Sequence, residues 1–161
     1  MKLKPETQDF VERIGLTLEK LGTTRTLGRM FGLLLVAERP MSLGELASAL
    51  RVSKASISTN ARVCVQSGLA QPVSILGDRR DYYEISAGSF ERAVMARLPV
   101  IEEIVSLADV GIGAVDKDNR AARARLEEMR DFYEFLGTEM AKIMPRWQEI
   151  RKRSKARKRQ R

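Results

Sequence analysis

The 161-residue chain carries 29 Lys and Arg against 21 Asp and Glu, with 43% apolar residues, enough for one packed domain with appendages. It has no histidine and one cysteine, Cys64, which excludes intrachain disulfides, His/Cys zinc sites, Cys-His nucleophilic pairs and Ser-His-Asp triads; a reducing cytoplasm, no metal, no cofactor and no enzymatic activity are expected. The longest apolar run, 33–37, is too short to cross a membrane, and no signal-peptide core follows the N-terminus.

Residues 6–21 place Phe10, Ile14, Leu18 and Leu21 on one helical face. Gly22 ends that helix, and Thr23 or Thr24 caps the next, over about 25–38, which is apolar nearly all round (Leu27, Met30, Phe31, Leu33, Leu34, Leu35, Val36) and therefore belongs in the core. Arg25 and Arg29 lie one turn apart on it. Arg25 is expected to contact phosphate, while Arg29 either does the same or pairs with an acid. Pro40 breaks the chain, and Ser42-Leu43-Gly44-Glu45 forms a capping box that opens a short helix through Leu46, Ala47 and Leu50. A turn of three, Arg51-Val52-Ser53, leads into a further helix over 54–67, with Ser53 as its cap and Gly68 at its end.

From Leu69 the period changes to that of strands. Runs 69–76 and 80–86, rich in Val, Ile and Tyr, flank the turn chemistry of Gly77-Asp78-Arg79, which predicts a hairpin. Phe90, Val94, Leu98, Ile101, Val105 and Ala108 sketch a helix kinked at Pro99, and Gly111-Ile112-Gly113 interrupts it. The last helix, about 118–144, repeats Ala122, Leu126, Met129, Tyr133, Leu136, Met140 and Ile143 at alternating steps of four and three, a coiled-coil seam. Residues 146–161 hold nine of the basic residues and one acid, so this tail carries the whole net charge of +8 and the rest of the chain is neutral. Almost without apolar residues from Arg151 onward, the tail is expected to be disordered. It serves either to follow flanking phosphates or RNA, or only to solubilise the chain.

A helix, a turn of three, a second helix and a hairpin together make the layout of a winged helix-turn-helix, a mainly α fold with a small β-hairpin wing. A DNA major groove about 12 Å wide admits one helix, apolar on its back and small, polar or basic on its front. In helix 54–67 the back is Ile57, Ala61 and Cys64, and the front is Lys54, Ala55, Ser58, Thr59 and Arg62. Ser42 and Ser53, at the starts of the two helices, complete the expected DNA-facing set with Arg25. Nothing acidic occurs across the 32 residues from Leu46 to Gly77, as a surface meeting phosphates requires. An arginine at the wing tip can enter a narrow, A·T-rich minor groove. DNA binding is thus predicted from pattern and not from overall basicity.

Residues 10–86 resemble the multiple-antibiotic-resistance (MarR) superfamily of transcriptional regulators, specifically its GbsR-type branch. The resemblance rests on Glu12-Arg13-Ile14-Gly15-Leu16, Gly28-Arg29-Met30-Phe31-Gly32-Leu33-Leu34, Leu46-Ala47-Ser48-Ala49-Leu50-Arg51-Val52-Ser53-Lys54 and Gly77-Asp78-Arg79-Arg80-Asp81-Tyr82-Tyr83. It implies that Arg80 enters the minor groove, that Asp78 orients it and that Arg79 contacts phosphate. It also implies a dimer built from N- and C-terminal helices, here through Phe10, Ile14, Leu126, Met129, Tyr133, Leu136, Met140 and Ile143. The seam of helix 118–144 independently asks for a partner, or else packs within its own chain.

The expected organisation is an N-terminal helix (1–23), a DNA-binding domain (24–87), a dimerisation region (88–145) and a basic tail (146–161). A dimer implies a palindromic operator in double-stranded DNA with half-sites about one helical turn apart. The competing reading is a general nucleic-acid-coating protein driven by the tail. A small-molecule effector is a further expectation: Phe132, Tyr133, Phe135 and Trp147 either cage a cation of the choline kind or simply pack. Cys64, on the buried face of helix 54–67, is expected to pack and not to sense oxidants.

Overall fold

The computed structural model describes the backbone of residues 3–159 and the side chains of residues 3–154. The chain divides into two units, 1–93 and 94–161.

In the first unit, α1 (Pro5–Glu19) starts with proline in its first turn and α2 (Arg25–Leu35) is capped by Thr24, whose hydroxyl accepts the Leu27 N–H at 3.1 Å. The two helices meet through glycine. A Cβ on Gly28 would stand 2.8 Å from Gly15 Cα and 3.1 Å from the Gly15 and Ile14 carbonyl oxygens, so neither position tolerates a side chain without separating the helices. This close approach rotates α1 relative to the expected face. Val11 and Gly15 are its buried residues, Ile14 is half-buried against Gly32, and Phe10 and Leu21 are exposed. The α2 stripe behaves as its composition dictates: Leu27, Met30, Leu33 and Leu34 form one cluster with Val11, Leu46, Leu50, Ile57, Ala61 and Cys64. Each Leu, Ile, Val or Met side chain of the cluster contributes roughly 1.5–3 kcal/mol on full burial.

Helix α3 (Leu43–Leu50) ends on Arg51, a non-glycine residue in the left-handed region at φ 54°, and α4 (Lys54–Gln66) begins after Ser53, whose hydroxyl accepts the Ser56 N–H at 3.1 Å. The predicted turn of three is therefore present. The wing is β2 (Gln71–Ile75) and β3 (Asp78–Glu84), and the two-residue strand β1 (Met41–Ser42) joins it to make an antiparallel sheet of order β1-β3-β2. The turn falls on Leu76-Gly77, with Gly77 at φ +83°, so Asp78 and Arg79 belong to the strand and not to the expected turn. Helix α5 (Ser89–Met95) sets Phe90 edge-on to Phe31 at 6.3 Å between ring centroids.

In the second unit, α6 (Leu98–Ala114) packs along α7 (Arg120–Arg159). Pro99 lies in the first turn of α6, where its missing N–H has no helical partner to lose; the expected kinked helix is instead two helices, α5 and α6. The α7 seam is half-covered by its own chain: Leu126 touches Gly111, while the neighbouring Gly137 faces Ile101. Leu126, Met129, Tyr133, Leu136 and Met140 are half-buried, and Ile143 is exposed. A second stripe, Phe132, Phe135, Ile143, Trp147 and Ile150, is 44–62% exposed.

Backbone helicity continues past the expected end at 144 to Arg159, against the expectation of a disordered tail. Pro145 is accommodated inside the helix, and the Arg, Lys, Gln and Glu that follow are strong helix formers. The side chains of Lys155, Arg157, Lys158 and Arg159, and all of Arg161, lie outside the described residues. Among the described residues no helix is long and apolar enough to cross a membrane.

Candidate nucleic-acid interface

Helix α4 presents the two faces its sequence predicts. Ile57, Ala61 and Cys64 are fully buried, while Lys54, Ala55, Thr59 and Arg62 are exposed and Ser58 is half-buried. Burial pushes the Cys64 thiol up to about 12, so it packs as a small apolar group. Asn60, which sequence reasoning left out, is buried beside this apolar back. Its side-chain oxygen accepts the Thr24 hydroxyl and its amide donates to the Ser56 carbonyl at 2.8 Å, so the cap of α2 is also a strut for α4. The place of Asn60 three positions after Ile57 and directly before Ala61, at the edge of the apolar back, was the available signal.

The cap residues divide. Ser53 is exposed at the start of α4, beside Lys54. Ser42 is only 2% exposed, and its hydroxyl accepts the Glu45 N–H and donates to the Glu45 carboxylate at 2.8 Å. It belongs to the buried frame at the head of α3 and not to the exposed surface. Glu45 also accepts the Ser42 N–H at 2.8 Å and the Arg39 guanidinium at 2.6 Å; the Arg39 bond and then the Ser42 bonds hold its carboxyl at about 2. Arg25 does not stand alone either: Glu12 takes Arg25 at 2.9 Å and Arg29 at 2.7 Å, and Arg29 donates to the Leu50 carbonyl at 3.0 Å. Arg29 thus pairs with an acid, one of its two expected fates, and Glu12 draws off part of the charge that Arg25 would offer to a phosphate.

At the wing, Asp78 accepts both the backbone N–H and the Nε–H of Arg80 at 3.0 Å, a further bond from Arg80 Nη2, and the Tyr82 hydroxyl at 2.8 Å. These bonds, the Arg80 side chain first, hold the Asp78 carboxyl far below the usual carboxylate range and raise the Arg80 guanidinium in turn. The Arg80 side chain remains 64% exposed, and Arg79 is exposed beside it. An open groove of about 1280 Å³ runs from Leu3, Met41 and Leu43 to Lys54, Arg79 and Arg80. Of the α7 aromatics, Phe132 meets Tyr133 edge-on at 5.5 Å, and Phe132, Phe135 and Trp147 are exposed.

The chain is similar to the HTH-type transcriptional regulator MmpR5 of Mycobacterium tuberculosis, 34% identical over 150 residues that cover 92% of this chain and 91% of that one. It belongs to the MarR family of transcriptional regulators. Residues 88–151 match the family described as MmpR5-like MarR family transcriptional regulator. The HTH-type transcriptional repressor OpcR of Bacillus subtilis is 27% identical over 84 residues, covering 52% of this chain and 45% of that one. A crystal structure of a transcriptional regulator, 34% identical, matches 90% of this chain and 99% of that one with a TM-score of 0.84. The protein is therefore a DNA-binding regulator with a winged helix-turn-helix, as these relatives are named transcriptional regulators.

Proposed function

We propose that this MarR-family regulator binds a palindromic operator as a homodimer, with Lys54, Ala55, Ser58, Thr59 and Arg62 of α4 toward the major groove and Arg80 in the minor groove. Arg79, Arg25 and Ser53 serve the flanking phosphates. The observation that carries this reading is the wing: an exposed guanidinium held by a fixed carboxylate, on the same unit as a helix whose whole front is free of acids. Dimerisation is supported by the mismatch between α7 and α6. At 1.5 Å per residue α7 is about 60 Å long and α6 about 25 Å, so the outer part of α7, with Ile143, Trp147 and Ile150 exposed, calls for a second copy. Phe10, exposed on α1, is the natural N-terminal contributor, with Ile14 at its edge. The GbsR-type branch rests on the four residue runs quoted above.

The test is to select bound duplexes from a random DNA pool and then compare Arg62→Ala with Arg80→Ala in one chain against the wild type. Loss of discrimination between selected and random DNA is expected. If discrimination survives, the coating protein driven by the basic tail becomes the better account.

A small-molecule effector is favoured by one observation, the groove of about 1280 Å³ that reaches both Lys54, the first residue of α4, and Arg80 in the wing. An occupant there would touch both DNA-facing elements at once and so change the affinity of the regulator for its operator.

A further inference from the structure

An exposed arginine on a hairpin ordinarily samples many rotamers, and fixing it on binding DNA sacrifices most of that freedom. Arg80 is not in that position. The register of β3 on β2 slips between Ile75↔Asp78 and Val73↔Tyr82, and across that irregularity hydrogen bonds gather the side chains of Asp78, Arg80 and Tyr82 into one group. Asp78 occupies Nε and one hydrogen of Nη2 of the guanidinium. Of the five donors, three remain: both hydrogens of Nη1 and the second of Nη2. They form an outward fork.

What keeps Asp78 from swinging with its partner is Tyr82. Its hydroxyl donates to Asp78 Oδ2 at 2.8 Å, its ring lies 5.3 Å from the Arg80 guanidinium carbon, and the residue itself is only 4% exposed. Tyr82 is anchored on both sides, opposite Ser42 on β1 and Val73 on β2. The carboxylate and the guanidinium are both exposed enough to move. The tyrosine is the one buried member of the trio.

We propose that Tyr82 is a positioning residue for the wing: through Asp78 and its own ring it aims the outward fork of Arg80, and thereby sets the preference of the protein for an unobstructed, A·T-type minor groove. Tyr82 touches no DNA. It acts only through Arg80, and the inference rests on the reading that Arg80 enters that groove.

The test uses the full chain and two duplexes taken from the random-pool selection. They are identical except that the adenines facing the wing are replaced in one by 2,6-diaminopurine. That base adds an amino group to the minor groove and leaves the major-groove edge unchanged. The wild type is expected to prefer the adenine duplex by about 10-fold or more, the scale of one disfavoured base pair, and Tyr82→Phe to reduce that preference to within about 3-fold. Affinity for random DNA should stay as in the wild type, the melting temperature should fall by no more than the few degrees expected for one lost hydrogen bond, and Tyr82→Phe should change nothing further in DNA preference in an Arg80→Ala background.

A Tyr82→Phe protein that keeps the full preference, or that weakens on both duplexes equally, overturns the proposal while leaving Arg80 in the groove. An additional loss in the Arg80→Ala background overturns it as well, since Tyr82 would then act by another route. If Arg80→Ala itself keeps the preference, the minor-groove reading fails, and the role of Tyr82 fails with it.

Discussion

Replacing Glu45 by glutamine keeps the size of the side chain and removes its charge, which isolates what the carboxylate does at the head of α3. In the wild type it accepts bonds from the Ser42 backbone and hydroxyl, both at 2.8 Å, and from Arg39 at 2.6 Å. Its carboxyl is lowered from 4.5 to about 2, with the Arg39 bond as the largest cause. Taken at face value, that shift corresponds to about 3 kcal/mol. The side chain is one-third exposed and Arg39 two-thirds, so solvent screening reduces the expected value to about 1–2 kcal/mol, in line with the loss of a helix cap. For a chain of this length, Glu45→Gln should lower the melting temperature by about 3–6 °C at pH 7.

The sign of the pH dependence follows from the direction of the shift. A carboxyl depressed in the folded state stabilises fully above its unfolded value near 4.5, and that contribution fades as pH falls toward 2. Urea unfolding of both proteins at pH 6 and pH 3 should show the gap between them shrinking at the lower pH. Asp78 also loses stabilising bonds in acid, but does so in both proteins and cancels in the difference. A gap of equal size at both pH values would refute the reasoning, because it would mean that shape and not charge is what Glu45 contributes.

Gly28→Ala should destabilise the first unit by roughly 1–3 kcal/mol in urea, because the new methyl meets backbone atoms at 2.8–3.1 Å; Gly32→Ala should cost less, since it meets mainly the Ile14 side chain at 3.3–3.4 Å. Cys64 should resist alkylation by iodoacetamide in the native protein at pH 8 and react fully in denaturant, its thiol being buried and raised to about 12; rapid native labelling would put it on an accessible face. Deleting residues 151–161 should flatten the dependence of DNA affinity on salt by about 0.9 in log–log slope for each phosphate the tail neutralises, and an unchanged slope would leave the tail a solubilising appendage.

Features carried by strong local chemistry were legible in the sequence. The capping box, the turn of three and the buried back of α4 each follow from side chains whose preference is one-sided: a serine with a glutamate three residues on, or Ile57, Ala61 and Cys64 at helical spacing. What escaped depended on the absence of a side chain or on long-range pairing. Gly15 gives no hydrophobic signal, yet it lies on the line of contact between α1 and α2, which turned Phe10 outward. Strand β1 is two residues long and exists only because Tyr82 and Tyr83 lie opposite it. The hairpin turn moved to Leu76-Gly77 because Gly77 supplies the positive φ, while Asp78 and Arg79, polar enough to suggest a turn, are needed on the strand. At the site, Lys54, Thr59, Arg62 and Arg80 were readable as exposed polar groups. Glu12 and Asn60 were not, because each acts on residues far away in sequence; Tyr82 was not, because a β-prone aromatic reads as packing and its hydroxyl bond to Asp78 shows only in the fold.

These residues explain how one unit can hold α4 and the wing in a fixed relation. Helix α4 is braced from α2 by Asn60 and Thr24, and the end of α3 is braced from α2 by Arg29 on the Leu50 carbonyl. The wing is referenced to the other end of the same short helix, because Ser42 caps α3 and also pairs with Tyr82 of β3. The wing is therefore referenced to α3, eight residues long and capped by Ser42, while α4 and the end of α3 are both held from α2. Under the proposed mode of binding, Arg80 and α4 would have to match a spacing set by DNA together. A frame built through α2 and α3 can meet that demand without a basic excess in residues 1–145, and the net charge of +8 lies wholly in residues 146–161.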